Sequence, residues 1–209
     1  MIEPSGFYVL LGPDYAGKSS VLAALAKSSA SWRYISVDDE FLGLEHTLLT
    51  ALRRHLVHDV LPLLGTAHSV DFAMSLMQTA VLYLRDQVVA HSDEPVLVDS
   101  YYYKILAKCR LICGADHPIF AWWRTFPQPR RVLYLDVSPR TAWRRAGVRV
   151  NRLEHYGETA DWQGFEAFQT DLGKVMLDEV RDVPVTVIRE RNGIGRTVRA
   201  VRRVLAHDR

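Results

Sequence analysis

Cysteine is scarce in this 209-residue chain, which holds only Cys109 and Cys113. Two thiols cannot build a disulfide framework, so the small secreted scaffolds are excluded and a reducing compartment is the expectation. Charge of one sign is scarce as well. Lys and Arg number 26 against 24 Asp and Glu, a formal net charge of +2. That imbalance is too small to call for a nucleic-acid partner. No uncharged run approaches the roughly 20 apolar residues that span a bilayer, so no membrane partner is expected. Met1 to Gly6 lack a basic stretch followed by a long apolar one, and no signal peptide is read there. Internal repeats and low-complexity tracts are missing too. The expectation is a soluble, cytoplasmic protein. Apolar residues make up 48% of the chain, the share of an ordinary packed domain. The length sits near the upper limit for one core, which suggests a single domain, residues 1–209, with a small mobile lid.

Short apolar runs alternate with longer helical patterns. The runs are Phe7–Leu11, Tyr34–Val37, Pro95–Val98 ending at Asp99, Val132–Leu135 ending at Asp136, and Val185–Ile188. Helical spacing of apolar residues marks Leu48–Leu64, Phe72–Ala90, a stretch starting at Thr141–Arg145, Phe165–Val180 and Arg196–Ala206. Uninterrupted apolar strands between long helices predict a five-stranded parallel sheet covered on both faces, a three-layer α/β/α sandwich. Gly147 to Gly164 is polar and contains three glycines. It reads as a surface loop or lid, and the lid segment is placed at about residues 144–164.

Gly12-Pro13-Asp14-Tyr15-Ala16-Gly17-Lys18-Ser19 matches G-x-x-x-x-G-K-[ST] at every fixed position. An apolar strand precedes it, and a helix with Val21, Leu22 and Leu25 on one face follows. The glycines allow a tight turn whose N–H groups point inward around phosphate oxygens. The helix dipole adds positive potential. Lys18 brings a cation to the β- and γ-phosphates, and Ser19 brings a hydroxyl to Mg²⁺. The expected cofactors are ATP and Mg²⁺. The expected nucleotide-binding set is Gly12, Asp14, Tyr15, Ala16, Gly17, Lys18, Ser19 and Ser20. No Asn-Lys-x-Asp stretch occurs, which argues against a guanine-specific switch. Asp99 ends an apolar strand, where it can hold Mg²⁺ through water or take a proton from the acceptor; a helix cap is the plainer role. Asp136 ends another strand, but Ser138-Pro139 after it reads as a helix cap with proline in the first turn.

At these residues the chain resembles the thymidylate kinase family of P-loop nucleoside monophosphate kinases. Asp14 matches the aspartate two residues after the first P-loop glycine, which in the family lies near the acceptor sugar. Phe72-Ala73 is similar to a Phe-Ala segment whose ring stacks on the thymine. Leu97–Tyr101 resembles a strand ending in Asp-Arg-Tyr, and Leu133–Val137 resembles Tyr-Leu-Asp-Val. Asn151–Glu154 is similar to an Asp-Arg-hydrophobic-Glu lid motif. The resemblance implies phosphoryl transfer from ATP to a nucleotide-like small molecule, and relatives are commonly homodimers. Two departures lie on the acceptor side. Ser100 stands where the family has an acceptor-phosphate arginine, and serine has neither its charge nor its planar fork. Leu76 stands near the place of a base-reading arginine. An acceptor other than ordinary dTMP follows: a modified nucleotide, a nucleoside, or a hydroxyl on another metabolite.

The catalytic set expected on this reading is Lys18, Asp99, Arg145, Arg149 and Arg152, chosen from a cluster that also includes Arg144. The expected metal ligands are Ser19 and Asp99. The expected acceptor contacts are Asp14, Asp38, Phe72 and Tyr101. Tyr15, Tyr102, Tyr103, Trp122 and Trp123 are further aromatic candidates, with core packing as the plainer role. Asp38-Asp39-Glu40 suits either acceptor contact or a helix start. Cys109 and Cys113, four apart, read as buried small side chains on one helical face. His55 and His58 read as a solvated helix face, without the further ligands a metal needs. Arg196, Arg199, Arg202 and Arg203 form the solvent side of an amphipathic helix.

Overall fold

A computed structural model describes residues 5–28, 31–113, 117–147, 149–190 and 193–207. Strand β1 (Ser5–Leu11) shows why the sheet is apolar throughout. Phe7, Val9 and Leu11 enter one core and Tyr8 and Leu10 enter the other. Successive strand side chains point to opposite faces, so both parities must be apolar when both faces are covered. β3 (Val96–Asp99) and β4 (Pro129–Asp136) divide their residues between the same two cores. With β2 (Arg33–Ile35) and β5 (Val185–Arg189) they form a five-stranded sheet in the order β2-β3-β1-β4-β5. Every pairing is parallel, as the alternation of runs and helices predicts.

Helices α1 (Lys18–Ala26) and α8 (Ile194–His207) cover one face with Val21, Leu22, Leu25, Val198, Val201 and Leu205. The other face carries α3 (Val70–Ala90), α4 (Tyr103–Cys113), α5 (Pro118–Trp123) and α7 (Trp162–Glu179). Ser69 caps α3, Ser138 caps α6 (Pro139–Ala146) and Asp161 caps α7, each accepting from a first-turn N–H. Ser138, rather than Asp136, is therefore the cap after β4.

The structure departs from the sequence reading in three places. Leu48–Leu64 is not one α-helix. α2 (Thr47–His55) gives way to a π-turn at Leu56–Val60 and a 3₁₀ turn at Leu61–Leu63. Pro62 lies in that last turn, where it lacks the N–H that an α-helix would need. Helices α4 and α5 are additional to those the periodicity marks. In α4 the buried Leu106, Ala107 and Cys109 share the helix with the largely buried Lys104 and Lys108, and those charges interrupt the apolar pattern. The segment between α6 and α7 is irregular, as expected of a loop, but it is not all surface: Leu153, Glu154 and His155 are buried. Cys109 is a buried core residue, whereas the Cys113 side chain lies outside the described part.

Candidate active site

The loop after β1 leaves the carboxyl edge of the sheet, where open α/β sheets bind ligands. It needs its glycines. A Cβ on Gly12 would lie 2.7 Å from the Leu135 carbonyl oxygen, so the turn can run this close to β4 only without a side chain. Gly17, at φ 91°, opens α1 from the left-handed region. No side chain caps α1, so its first N–H groups face outward as an anion site. Lys18 Nζ donates to the carbonyls of Gly12 and Pro13, both at 3.2 Å. Burial, and then the charge of Lys104, lower its pKa to about 7. The carboxylates of Asp99 and Asp14 offset this only in part, so a further negative charge beside Lys18, such as a phosphate, would favour its ammonium form.

Asp14 lies on the opposite wall and is 4% exposed. Its Oδ1 meets Lys104 Nζ at 2.5 Å and Lys108 Nζ at 2.9 Å. Its Oδ2 accepts from Gln169 Nε2 at 3.0 Å, while its backbone N–H donates to Gln169 Oε1. Burial pushes the carboxyl upward, but the two ammonium groups and the hydrogen bonds outweigh it and hold the pKa well below the usual range. Lys104 responds in the opposite sense: burial lowers its pKa, and Asp14 with Asp99 and Glu154 raises it overall. Asp14 thus fastens α4 and α7 to the nucleotide loop.

Ser19 Oγ donates to Asp38 Oδ2 at 2.5 Å. Asp38 also accepts from Arg53 Nη2 at 3.0 Å. Ser36 Oγ accepts from the Asp38 N–H and donates to Asp99 Oδ2, and Ser100 Oγ donates to Asp99 Oδ1 at 2.7 Å. Ser100 and Tyr101 follow β3 in the left-handed region, at φ 58° and 48°. Consecutive non-glycine residues there carry strain of about 1–3 kcal/mol each, a feature of functional turns. The Ser19 hydroxyl with the Asp38 and Asp99 carboxylates forms a hard-oxygen set of the kind Mg²⁺ takes together with phosphate oxygens. Among the described residues no group of three or more His, Cys, Asp or Glu side chains is placed to hold a metal by itself.

Lys18, Ser19, Ser20, Asp14, Tyr15, Asp38, Asp99, Ser100, Tyr101, Lys104, Arg145 and Glu154 line one cavity of about 630 Å³. The segment between α6 and α7 borders one side of it through Glu154. Glu154 accepts from Tyr15 Oη at 2.7 Å and from the Asn151 N–H, and lies 3.7 Å from Lys108. Tyr15 Oη also meets the Arg149 carbonyl. Arg145 Nη1 donates to the Tyr15 and Ala16 carbonyls at 3.2 Å. It also borders a smaller pocket of about 250 Å³ with Gly17, Val21, Ile194 and Thr197. Arg149 and Arg152 turn to lid and α6 carbonyls: Arg149 to those of Ala146 and Arg145, Arg152 to that of Gly157.

The structure brings Asp14, Asp38, Tyr101 and the Gly17–Ser20 end of the loop to one cavity, with Gly12 and Ala16 behind it, and leaves Phe72 outside its lining. Phe72 is 46% exposed and stacks on His68 at 5.0 Å. Tyr102, Tyr103 and Trp123 are core residues, the two tyrosine hydroxyls being served by Gln128. Sequence reasoning missed Lys104, Lys108, Gln169 and Ser36. Two lysines at i and i+4 among the apolar residues of a helix just after Asp99 are the one signal for the first pair, because like charges on a packed face require a counter-charge.

No protein-family model matches the chain, and no curated protein does. Among solved structures it is similar to deoxyadenosine kinase from M. mycoides with its products dCMP and dCDP bound. The identity is 13% and the TM-score 0.60, over 96% of this chain and 99% of that one. A second structure of that enzyme, with dATP bound, gives 14% and 0.62. Thymidylate kinase from Candida albicans gives 14% and 0.65, over 97% of this chain and 91% of that one. The chain therefore has the fold of the thymidylate and deoxynucleoside kinases.

Proposed function

We propose that this protein is an ATP-dependent phosphotransferase that moves the γ-phosphate of Mg-ATP to a small-molecule acceptor, in the first reading a nucleoside monophosphate or similar nucleotide other than ordinary dTMP. One observation carries the reading: a glycine-turned loop, a buried lysine whose charge burial disfavours and the Ser19–Asp38–Asp99 oxygen set share one cavity. Residues 144–164 act as the lid of this single domain. The donor base is assigned to the pocket beside Arg145, and the polyphosphate to the loop amides and Lys18. Ser19, Asp38 and Asp99 would hold Mg²⁺, directly or through water, and the ion neutralises phosphate charge. Asp99, with its oxygens fixed by Ser36 and Ser100, orients the acceptor hydroxyl and takes its proton. Arg145, Arg149 and Arg152 supply positive charge as the lid shuts out water.

A second reading, transfer to a hydroxyl of a nucleoside or specialised metabolite, is favoured by the acceptor wall. Ser100 gives it no charge, and Asp14 already engages Lys104 and Lys108. ADP release, measured over nucleoside monophosphates, nucleosides and hydroxylated metabolites, tests both. Stimulation by a monophosphate supports the first, and stimulation by an alcohol supports the second. ATP binding without turnover for any acceptor would leave a regulatory ATP-binding module.

A further inference from the structure

Behind the acceptor wall lies a second cavity of about 180 Å³, between the π-turn, α3, α4 and the lid. Val37 and Ile105 line both this cavity and the larger one, so the two adjoin. We propose that this cavity receives the body of the acceptor, and that the body is apolar: an aromatic or branched hydrocarbon unit carrying the reactive hydroxyl, not a nucleobase. The inference rests on the kinase reading and selects its second form.

The wall chemistry carries it. Leu56, Leu76, Met77, Ala80, Ile105 and Leu153 supply an apolar lining from four separate segments. The polar groups among them are engaged elsewhere. Arg53 donates to the Val37 carbonyl and to Asp38. Thr79 donates back to the Leu76 carbonyl at 2.6 Å. Lys108 is bound to Asp14. Asn151 gives its side-chain oxygen to the Leu153 N–H, which leaves a single amide nitrogen. A nucleobase presents several donors and acceptors along its edges. Buried here, most would stay unpaired, and a site that cannot answer polar groups rejects them strongly. A hydrocarbon ring has no such demand. The volume is also on the scale at which a cavity of about 150 Å³ lined by Leu, Ile and Phe admits a benzene ring. Leu56 and its neighbours reach the cavity from a π-turn, a device common at functional sites. Leu153, from the segment assigned as the lid, already closes the apolar wall on that side.

With the body in place, the hydroxyl lies toward Asp99. Its oxygen bonds to the γ-phosphorus of ATP as the bond to the β,γ-bridging oxygen breaks. ADP leaves with that electron pair, and the hydroxyl proton passes to Asp99.

The test uses the full chain and three probes: 3-phenylpropan-1-ol, thymidine and dTMP. Binding of each is measured by calorimetry with and without a non-hydrolysable ATP analogue and Mg²⁺, and ADP formation is measured with Mg-ATP. The expected result is tighter binding of 3-phenylpropan-1-ol than of thymidine or dTMP, by roughly tenfold or more, and faster ADP formation with it. Ala80→Phe fills the cavity. Leu76→Gln, at a partly exposed position that tolerates change, places an amide in its wall. Each should weaken the alcohol by roughly tenfold while Mg-ATP binding stays within about twofold. The proposal is overturned if thymidine or dTMP is the preferred ligand, or if both variants leave alcohol binding unchanged. Failure of the folded chain to bind Mg-ATP would be a separate result. It would sink the kinase reading, and the cavity's role as an acceptor site with it, even where the alcohol still binds.

Discussion

The ends of β1 and β3 lie side by side, with Leu10 paired to Asp99, yet they build their halves of the cavity by different means. After β1 the chemistry is main chain: amides around a tight turn, one lysine and one hydroxyl, all within eight consecutive residues. After β3 it is side chain, and it is collected from far apart: Lys104, Lys108, Glu154 and Gln169 form one buried network around Asp14, the carboxylate that the β1 loop contributes to it. A polyphosphate is always the same ligand, so a fixed backbone cradle serves it. An acceptor can be almost any small molecule, and only side chains can be exchanged to suit a new one. On the proposed reading, the contrast leaves general chemistry to the donor half and specificity to the acceptor half.

Mutations sharpen that division. Lys18→Ala should show the largest effect, a loss of about 10³-fold or more in phosphoryl transfer, or roughly 4 kcal/mol. Its thermal midpoint should stay level or rise, since a desolvated cation is removed from a site where burial disfavours it. A large drop in stability instead would mean that Lys18 is mainly structural. Asp14→Asn should destabilise the fold by about 3 kcal/mol in urea titration, because Lys104 and Lys108 lose their counter-charge. A change under about 1 kcal/mol would show that the network does not fasten α4 to the loop.

Arg149→Ala or Arg152→Ala should lower kcat by about tenfold and leave the KM for ATP nearly unchanged. Equal losses in both would give these arginines a ground-state role and blur the line between the two halves. The remaining effect concerns pH. The folded pKa of Lys18 is depressed to about 7, and a bound polyphosphate should restore it toward the ordinary lysine range. Between those values the complex holds a proton that the unliganded protein lacks. Nucleotide binding should then take up protons and weaken as pH rises from 7 to 9, by up to about tenfold per pH unit. Calorimetry in buffers of different ionisation enthalpy measures this, and binding independent of both buffer and pH would contradict it. The same depression costs stability while the unfolded lysine is protonated, so this group's contribution rises with pH between about 7 and the ordinary lysine value.

The two halves were also unequally legible. Uninterrupted runs such as Phe7–Leu11 show a strand covered on both faces, so the sheet could be read directly. The turn after β1 was readable because its parts are contiguous and its glycines answer a steric demand that the Leu135 carbonyl makes plain. Lys104 and Lys108 were hidden because a lysine on a helix is ordinarily solvated, and only the fold turns these two onto Asp14. The left-handed pair Ser100–Tyr101 gave no signal, as neither residue is glycine or asparagine. Phe72 reads as a stacking ring in sequence, but the start of α3 holds it outside the cavity, against His68. The apolar cavity draws on segments from Val37 to Leu153, and no single stretch announces it.

Titration of folded protein with ATP in millimolar Mg²⁺, run beside Lys18→Ala, tests the central claim most directly. The account predicts saturable binding of one nucleotide per chain, lost or weakened at least tenfold in the variant. Heat signals without saturation in the parent protein, or equal affinity in both, would contradict it.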